Sequence, residues 1–290
     1  MADAQISGPF GPADHVLSMP ARRVAAMYLL KCDLDVSEHL QGLDDIQLYE
    51  CAATGYRFWF PYELAGNERF YEAVSKAWKT YYQETRWEYD TACSLLKSGD
   101  ALLEIGAGRG FFLRRAEELV ASASGLELHR GAISEKVCRS EIHPRLLQEL
   151  PSDARFDVIC AFQVLEHVPD PAAFIRACVA HLKPGGRLIF STPNHEHTTF
   201  ARFEDAFDLP PHHVGQFTPQ IYRRIADHLG LTLLSCATEP QPFALPPASS
   251  CTRQARAYRV AGRVTRKVFG RLYGHLHEPG PTVIVSMSQR

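Results

Sequence analysis

Apolar and polar residues change rhythm several times along the 290-residue chain. Up to Pro20, the residues Gly8, Pro9, Gly11, Pro12 and Pro20 interrupt any period, so 1–20 reads as a loose, flexible tail. From about 22 to 61 the texture is strand-like. Residues 46–51 alternate, the turn at Thr54-Gly55 follows, and Tyr56-Arg57-Phe58-Trp59-Phe60 is aromatic, which predicts a hairpin closed by Pro61. Over 67–97, Phe70, Val74, Ala77, Trp78, Tyr81, Tyr82, Ala92, Leu95 and Leu96 recur at three- and four-residue steps, the period of a helix.

After Ser98-Gly99-Asp100 the pattern alternates strand and helix, which predicts an α/β protein with a mostly parallel, doubly wound sheet. Strands fall at 101–105, 124–128, within 137–142, at 156–161 and at 186–191, with helices near 111–121, 131–139 and 171–182 between them. Residues 231–235 and 282–287 read as a closing pair of strands. This divides the chain into a tail (1–20), a small β-rich N-terminal region (21–65) and a large α/β domain (66–290).

Composition narrows the class. Apolar residues make up 46% and charged residues 22%, the balance of a soluble globular protein. With 31 Lys+Arg against 33 Asp+Glu the net charge is −2, which argues against specific nucleic-acid binding, for which a net basic domain is usual. No apolar run reaches the roughly 18 residues of a membrane span, and the N-terminus carries no secretion signal, so a cytoplasmic protein is expected. The eight cysteines form no Cys-x-x-Cys pair and read as reduced thiols.

The sharpest chemical signal is Glu104-Ile105-Gly106-Ala107-Gly108-Arg109-Gly110, between a buried strand and a helix. A glycine turn there lets a cofactor approach the backbone, and the helix N-terminus favours a negative group. The dinucleotide fingerprint needs its third glycine at 111, where this chain has Phe111. Glu127 stands 21 residues after Gly106 at a strand end, where a carboxylate can accept both hydroxyls of a ribose. Phe162-Gln163-Val164-Leu165-Glu166-His167 leaves the fourth strand at the switch point of such a sheet, and Lys183-Pro184-Gly185-Gly186 turns into the fifth.

These four elements, in this order, resemble class I S-adenosylmethionine-dependent methyltransferases, in the branch containing ubiquinone-biosynthesis O-methyltransferases and methyltransferases of sugars and secondary metabolites. The resemblance runs from the glycine turn to the C-terminus. It implies a Rossmann-like sheet of seven strands and S-adenosyl-L-methionine as cofactor. It places Glu104, Gly106, Gly108, Gly110, Glu127, Phe162, Gln163 and Val164 around that cofactor. Tyr82, Arg86 or Trp87, just before the cofactor strand, would touch cofactor or acceptor if that helix covers the pocket. A small-molecule or sugar acceptor and O-methylation are expected by resemblance alone. An NAD-dependent oxidoreductase, which Phe111 and the lack of a Tyr-x-x-x-Lys pair weigh against, and a non-catalytic cofactor-binding protein are the alternatives.

Three further readings remain. Cys32 and Cys51 sit where some relatives carry a zinc ribbon, but each knuckle keeps one cysteine and His39 is distant, so the extension reads as an eroded ribbon without metal. Over 252–276, seven Arg and Lys residues share an arc of roughly 140° opposite apolar positions, which predicts a basic amphipathic helix with weak affinity for anionic membranes. The segment after the fifth strand holds His195, His197, His212 and His213 around Glu196. Their spacing matches no metal signature, so no metal is assigned. Pro210-Pro211-His212-His213 resembles an element of related methyltransferases that closes over the acceptor. This makes His213 the expected catalytic base, with His167 as the alternative.

Overall fold

The computed structural model describes residues 5–78, 81–197, 203, 205–240 and 281–290. The sheet of the large domain has seven strands in the order β11-β12-β9-β8-β5-β6-β7. The central strand is β5 (Ala101–Ile105), parallel to β6 (Ser122–Leu126) on one side and β8 (Phe156–Phe162) on the other. Beyond them lie β7 (Glu141–His143) and β9 (Leu182–Pro193), also parallel. β12 (Thr282–Gln289) then pairs antiparallel with both β9 and β11 (Leu231–Thr238). The chain winds outward from β5 through β6 and β7, then returns to β8 beside β5, so a crevice opens at the carboxyl ends of β5, β6 and β8.

Both faces of this sheet are covered, and its central strands are continuous apolar runs with Val158, Ile159, Cys160 and Ala161 all fully buried. Helices α4 (Phe111–Ala116), α5 (Arg130–Ser134), α6 (Pro171–Ala180) and α7 (Pro219–His228) flank it. Asp170 caps α6 by accepting from the Ala173 amide, Thr218 caps α7 by accepting from Ile221, and each is followed by a proline at the first helical position.

The N-terminal part departs from the sequence-based expectation. Residues expected as a tail form β1 (Ile6–Gly8) and β2 (Gly11–Pro20), and Phe10 between them is 1% exposed. They belong to a second, antiparallel sheet of order β1-β2-β3-β4-β10, with β3 (Asp45–Cys51), β4 (Arg57–Phe60) and the distant β10 (Gly215–Gln216). The strand-like reading of 22–61 also missed helix α1 (Ala21–Cys32), whose Ala21, Val24 and Tyr28 are buried at helical spacing. In place of a ribbon there is this five-stranded sheet with a helix between Cys32 and β3. The single helix expected over 67–97 is two, α2 (Glu68–Ala77) and α3 (Trp87–Cys93), because Trp78 and Arg86 adopt extended backbone. The intervening aromatics, poor helix formers, face the crevice instead. The seven cysteines among the described residues are free. The basic stretch 252–276 lies outside the described residues.

Two cores join the sheets. Phe10, Tyr49, Tyr56 and Phe58 of the small sheet pack with Phe217, Ile221 and Tyr222 of the large domain. On its other face, Tyr28, Ile46, Leu48 and Trp59 pack with Phe70 and Val74 of α2 and with Ala206, Phe207 and Leu209. The second core clamps the segment that carries His212 and His213.

Candidate active site

A cleft of about 940 Å³ lies at the carboxyl ends of β5, β6 and β8, within the size range of small-molecule sites. At one end is the glycine turn. The amides of Gly106 and Ala107 donate to the Leu126 carbonyl at 2.8 and 3.0 Å, tying the turn to β6. Gly106 (φ +72°) and Gly108 (φ +54°) adopt left-handed backbone. A Cβ on Gly106 would stand 2.6 Å from Val164 Cγ2, and one on Gly108 2.8 Å from the Tyr82 ring. The turn is therefore a surface that only bare backbone can form.

Glu127 follows β6. Its Oε2 accepts from the Gly108 amide and its Oε1 from the His129 amide, both at 2.8 Å. The His129 ring is hydrogen-bonded to the Tyr82 hydroxyl at 2.8 Å and stacks on that ring. Opposite, Gln163 leaves β8 in left-handed backbone (φ +56°), and its Nε2 donates to Glu88 Oε1 at 3.3 Å. Arg86 pairs with the same Glu88 oxygen, while burial holds Glu88 above the usual carboxylate range.

Gly106, Gly108, Glu127, Phe162, Gln163, Val164, His167 and His213 all line this cleft, as do Tyr82 and Arg86. Glu104 and Gly110 do not. Glu104 is 2% exposed within β5, and burial, then the charge of Glu127, push its carboxyl well up. Gly110 has Cys138 Sγ 2.4 Å from where its Cβ would be, so it serves close helix packing behind the turn. Trp87 is also absent from the lining.

At the other end of the cleft three imidazoles meet. His167 comes from the turn after β8, while His212 and His213 come from the loop before β10. One ring nitrogen from each lies within 4.8 Å of one from each of the others. The loop is held from several sides. The Tyr28 hydroxyl donates to the Leu209 carbonyl at 2.8 Å and accepts from the His212 amide at 3.2 Å. The Gly66 amide donates to Pro211 O, and the Val214 amide to Glu166 O, each at 2.8 Å.

The tautomers follow from the partners. His212 Nδ1 faces the Phe207 carbonyl at 2.9 Å and His167 Nδ1 faces the His212 carbonyl. A carbonyl only accepts, so both Nδ1 atoms carry the proton. His213 Nδ1 donates to Asp208 Oδ1 at 3.3 Å, and His195 Nε2 reaches the same oxygen at 2.8 Å. Burial pushes Asp208 upward, but the pairing with His195 and the two imidazole hydrogen bonds outweigh it and keep the carboxyl low. Burial lowers all three cleft histidines, His167 to about 3, so the rings are neutral and each keeps a lone pair on Nε2. Glu166, with both oxygens buried and unpartnered, is pushed by burial to about 8.

Sequence reasoning named His167, His212 and His213 but not Asp208 or Glu166. Glu166 was visible as the neighbour of His167. Asp208 carried no signal, because its link to His213 and His195 exists only once the loop folds.

Residues 78–236 match the family model described as a methyltransferase domain. The chain is 32% identical to the ubiquinone biosynthesis O-methyltransferase of Bordetella bronchiseptica over 123 residues, covering 39% of this chain and 50% of that protein. It is 32% identical to the enzyme of the same name from Coxiella burnetii over 154 residues, 47% of this chain and 65% of the relative. The chain thus spans about half the length of the curated relatives it matches. Among solved structures, a methyltransferase in complex with the Haloferax volcanii Trm112 methyltransferase activator shares the fold, at TM-score 0.54 and 15% identity over 74% of this chain and 95% of that one. No helix among the described residues is long and apolar enough to cross a membrane. With a matched domain covering more than half of its length, the chain belongs to the methyltransferase-domain family.

Proposed function

We propose that the chain methylates a hydroxyl of a small molecule or sugar, holding S-adenosylmethionine at the glycine turn and the acceptor at the histidine end of the cleft. The observation that carries this reading is that one cleft joins a bare-backbone turn and strand-end carboxylate to three neutral imidazoles. The cofactor supplies an activated methyl on a sulfonium and leaves as S-adenosylhomocysteine. Glu127 receives the ribose hydroxyls. Gly106 and Gly108 give backbone access, and Phe162, Gln163 and Val164 flank the remainder. Glu104 and Gly110 act from behind, by shaping the turn.

The protein's task is chiefly proximity and alignment, with a base for a hydroxyl nucleophile. His213 is that base. Its Nδ1–H is fixed on Asp208, so Nε2 is free to take a proton and the carboxylate stabilises the imidazolium that results. His167 has the His212 carbonyl, and no carboxylate, on its Nδ1 and lacks that compensation. The names of the Bordetella and Coxiella relatives support O-methylation. The test is transfer of a tritiated methyl group to a panel of phenols, sugars and amines. Product on hydroxyl acceptors supports the reading; product on amines alone removes it.

A further inference from the structure

We propose that His167, His212 and His213 form a binding site for one divalent transition-metal cation of the imidazole-preferring kind, with Zn²⁺ as the type. Three protein nitrogens with an open fourth direction is the ligand count of a zinc site that exchanges its remaining ligand. In this chain the Nδ1 atom of each ring is already committed, to the Phe207 carbonyl, the His212 carbonyl and the Asp208 carboxylate. Such outer partners fix the tautomer and aim of a metal-binding imidazole, leaving Nε2 as the ligand atom. His212 and His213 stack with ring centroids 4.4 Å apart, His167 stands 4.6 and 5.1 Å from them, and one nitrogen of each ring lies within 4.8 Å of the others, close enough for a single ion to reach all three.

A second, independent observation points the same way. Buried polar atoms normally have partners. Four of the nine buried side-chain atoms without one among the described residues gather here: His212 Nε2, both oxygens of Glu166 and Asp208 Oδ2. His212 is 5% exposed and Glu166 fully buried, and Glu166 Oε1 lies 4.0 Å from His167 Nε2. The Asp208 carboxylate beside His213, with Glu166 Oε1 beside His167, puts acidic oxygens around the three imidazoles. Bound there, the cation occupies the lone pair of His213 that would otherwise take the acceptor's proton, so metal loading and base action exclude each other. His195 stays outside the set, because its Nε2 is spent on Asp208.

The test uses the full chain, freed of metal by a chelator and then titrated with Zn(II) alone by calorimetry and with Co(II) alone by visible absorption. Neither S-adenosylmethionine nor an acceptor is present, so an inactive enzyme and an absent metal site give separate results. One cation per chain is expected. His212→Asn and His213→Gln should abolish stoichiometric binding, Asp208→Asn should weaken it about 10–100-fold as an outer partner, and His143→Gln, outside the cleft, should leave it intact. S-adenosylmethionine affinity, read at the far end of the cleft, identifies which variants are folded. If His212→Asn fails that check, His213→Gln and Asp208→Asn decide. No stoichiometric binding of either metal, or binding that persists in the folded ligand variants, overturns the proposal.

Discussion

Glu127 holds the turn through one carboxylate, and the same group is proposed to receive the ribose. Its oxygens accept from the Gly108 and His129 amides, yet an ionised carboxylate offers about four lone-pair sites, which leaves two for ribose hydroxyls. Glu127→Ala is therefore expected to weaken S-adenosylmethionine binding by about 1.5–3 kcal/mol, the range for hydrogen bonds to a charged group. Calorimetry on the folded variant measures this, and unchanged affinity would remove the ribose assignment. His213→Asn is expected to lower turnover about 10²–10⁴-fold with cofactor affinity nearly unchanged. Should turnover survive that change and collapse in His167→Asn, the base is His167.

Between elements, helix α1 reaches the site through one hydroxyl. Tyr28 is fully buried and bridges the Leu209 carbonyl and the His212 amide. Tyr28→Phe removes both bonds while the His212 amide keeps its own bond to the Leu209 carbonyl at 3.1 Å, so the cost is about 0.5–1.5 kcal/mol per bond lost, and the histidine loop loosens. Urea unfolding should show the loss, with turnover reduced and cofactor affinity retained. Strand pairing offers a pH test. Lys183 and the Ala101 amide hold the Asp157 carboxyl below its usual range. A lowered folded pKa gives stability that is present above the unfolded value near 4 and lost as pH falls through the folded value. Lys183 is 42% exposed and Asp157 30%, so screening limits the pair to about 0.5–1 kcal/mol. Asp157→Asn should cost that much at pH 6 and progressively less toward pH 2, measured as the difference between the two unfolding curves.

For the molecule as a whole, the small sheet is part of the catalytic body. Its order ends in β10, contributed by residues just after His213, and its two faces pack on both halves of the large domain. Phe10 sits in that junction, edge-on to Tyr56 at 5.3 Å. Phe10→Ala is expected to cost about 3–5 kcal/mol, the range for emptying a buried aromatic site. A loose tail would give no change in guanidinium unfolding. Elements after residue 65 reach the small sheet twice, because α2 packs on one of its faces while β10 completes its edge.

The amino-acid sequence alone determined the seven-stranded sheet, the glycine turn and the strand-end Glu127. Each of these is a local signal: a buried apolar run, a backbone that needs glycine, a carboxylate at a fixed distance. Local patterns also misled where helix and strand periods are hard to separate over a few residues, as in α1, or where tertiary packing overrode them, as at the break between α2 and α3. Residues 6–20 looked unstructured because their glycines and prolines mask a strand whose partner, β3, lies some thirty residues further on. The histidine cluster was beyond the sequence for a stronger reason. His167 and His212 are 45 residues apart, and Tyr28 and Leu209 are 181 apart, so their meeting depends on chain closure and on the second core that clamps the loop. Spacing rules detect residues that one turn or helix brings together; these are brought together by the packing of two sheets.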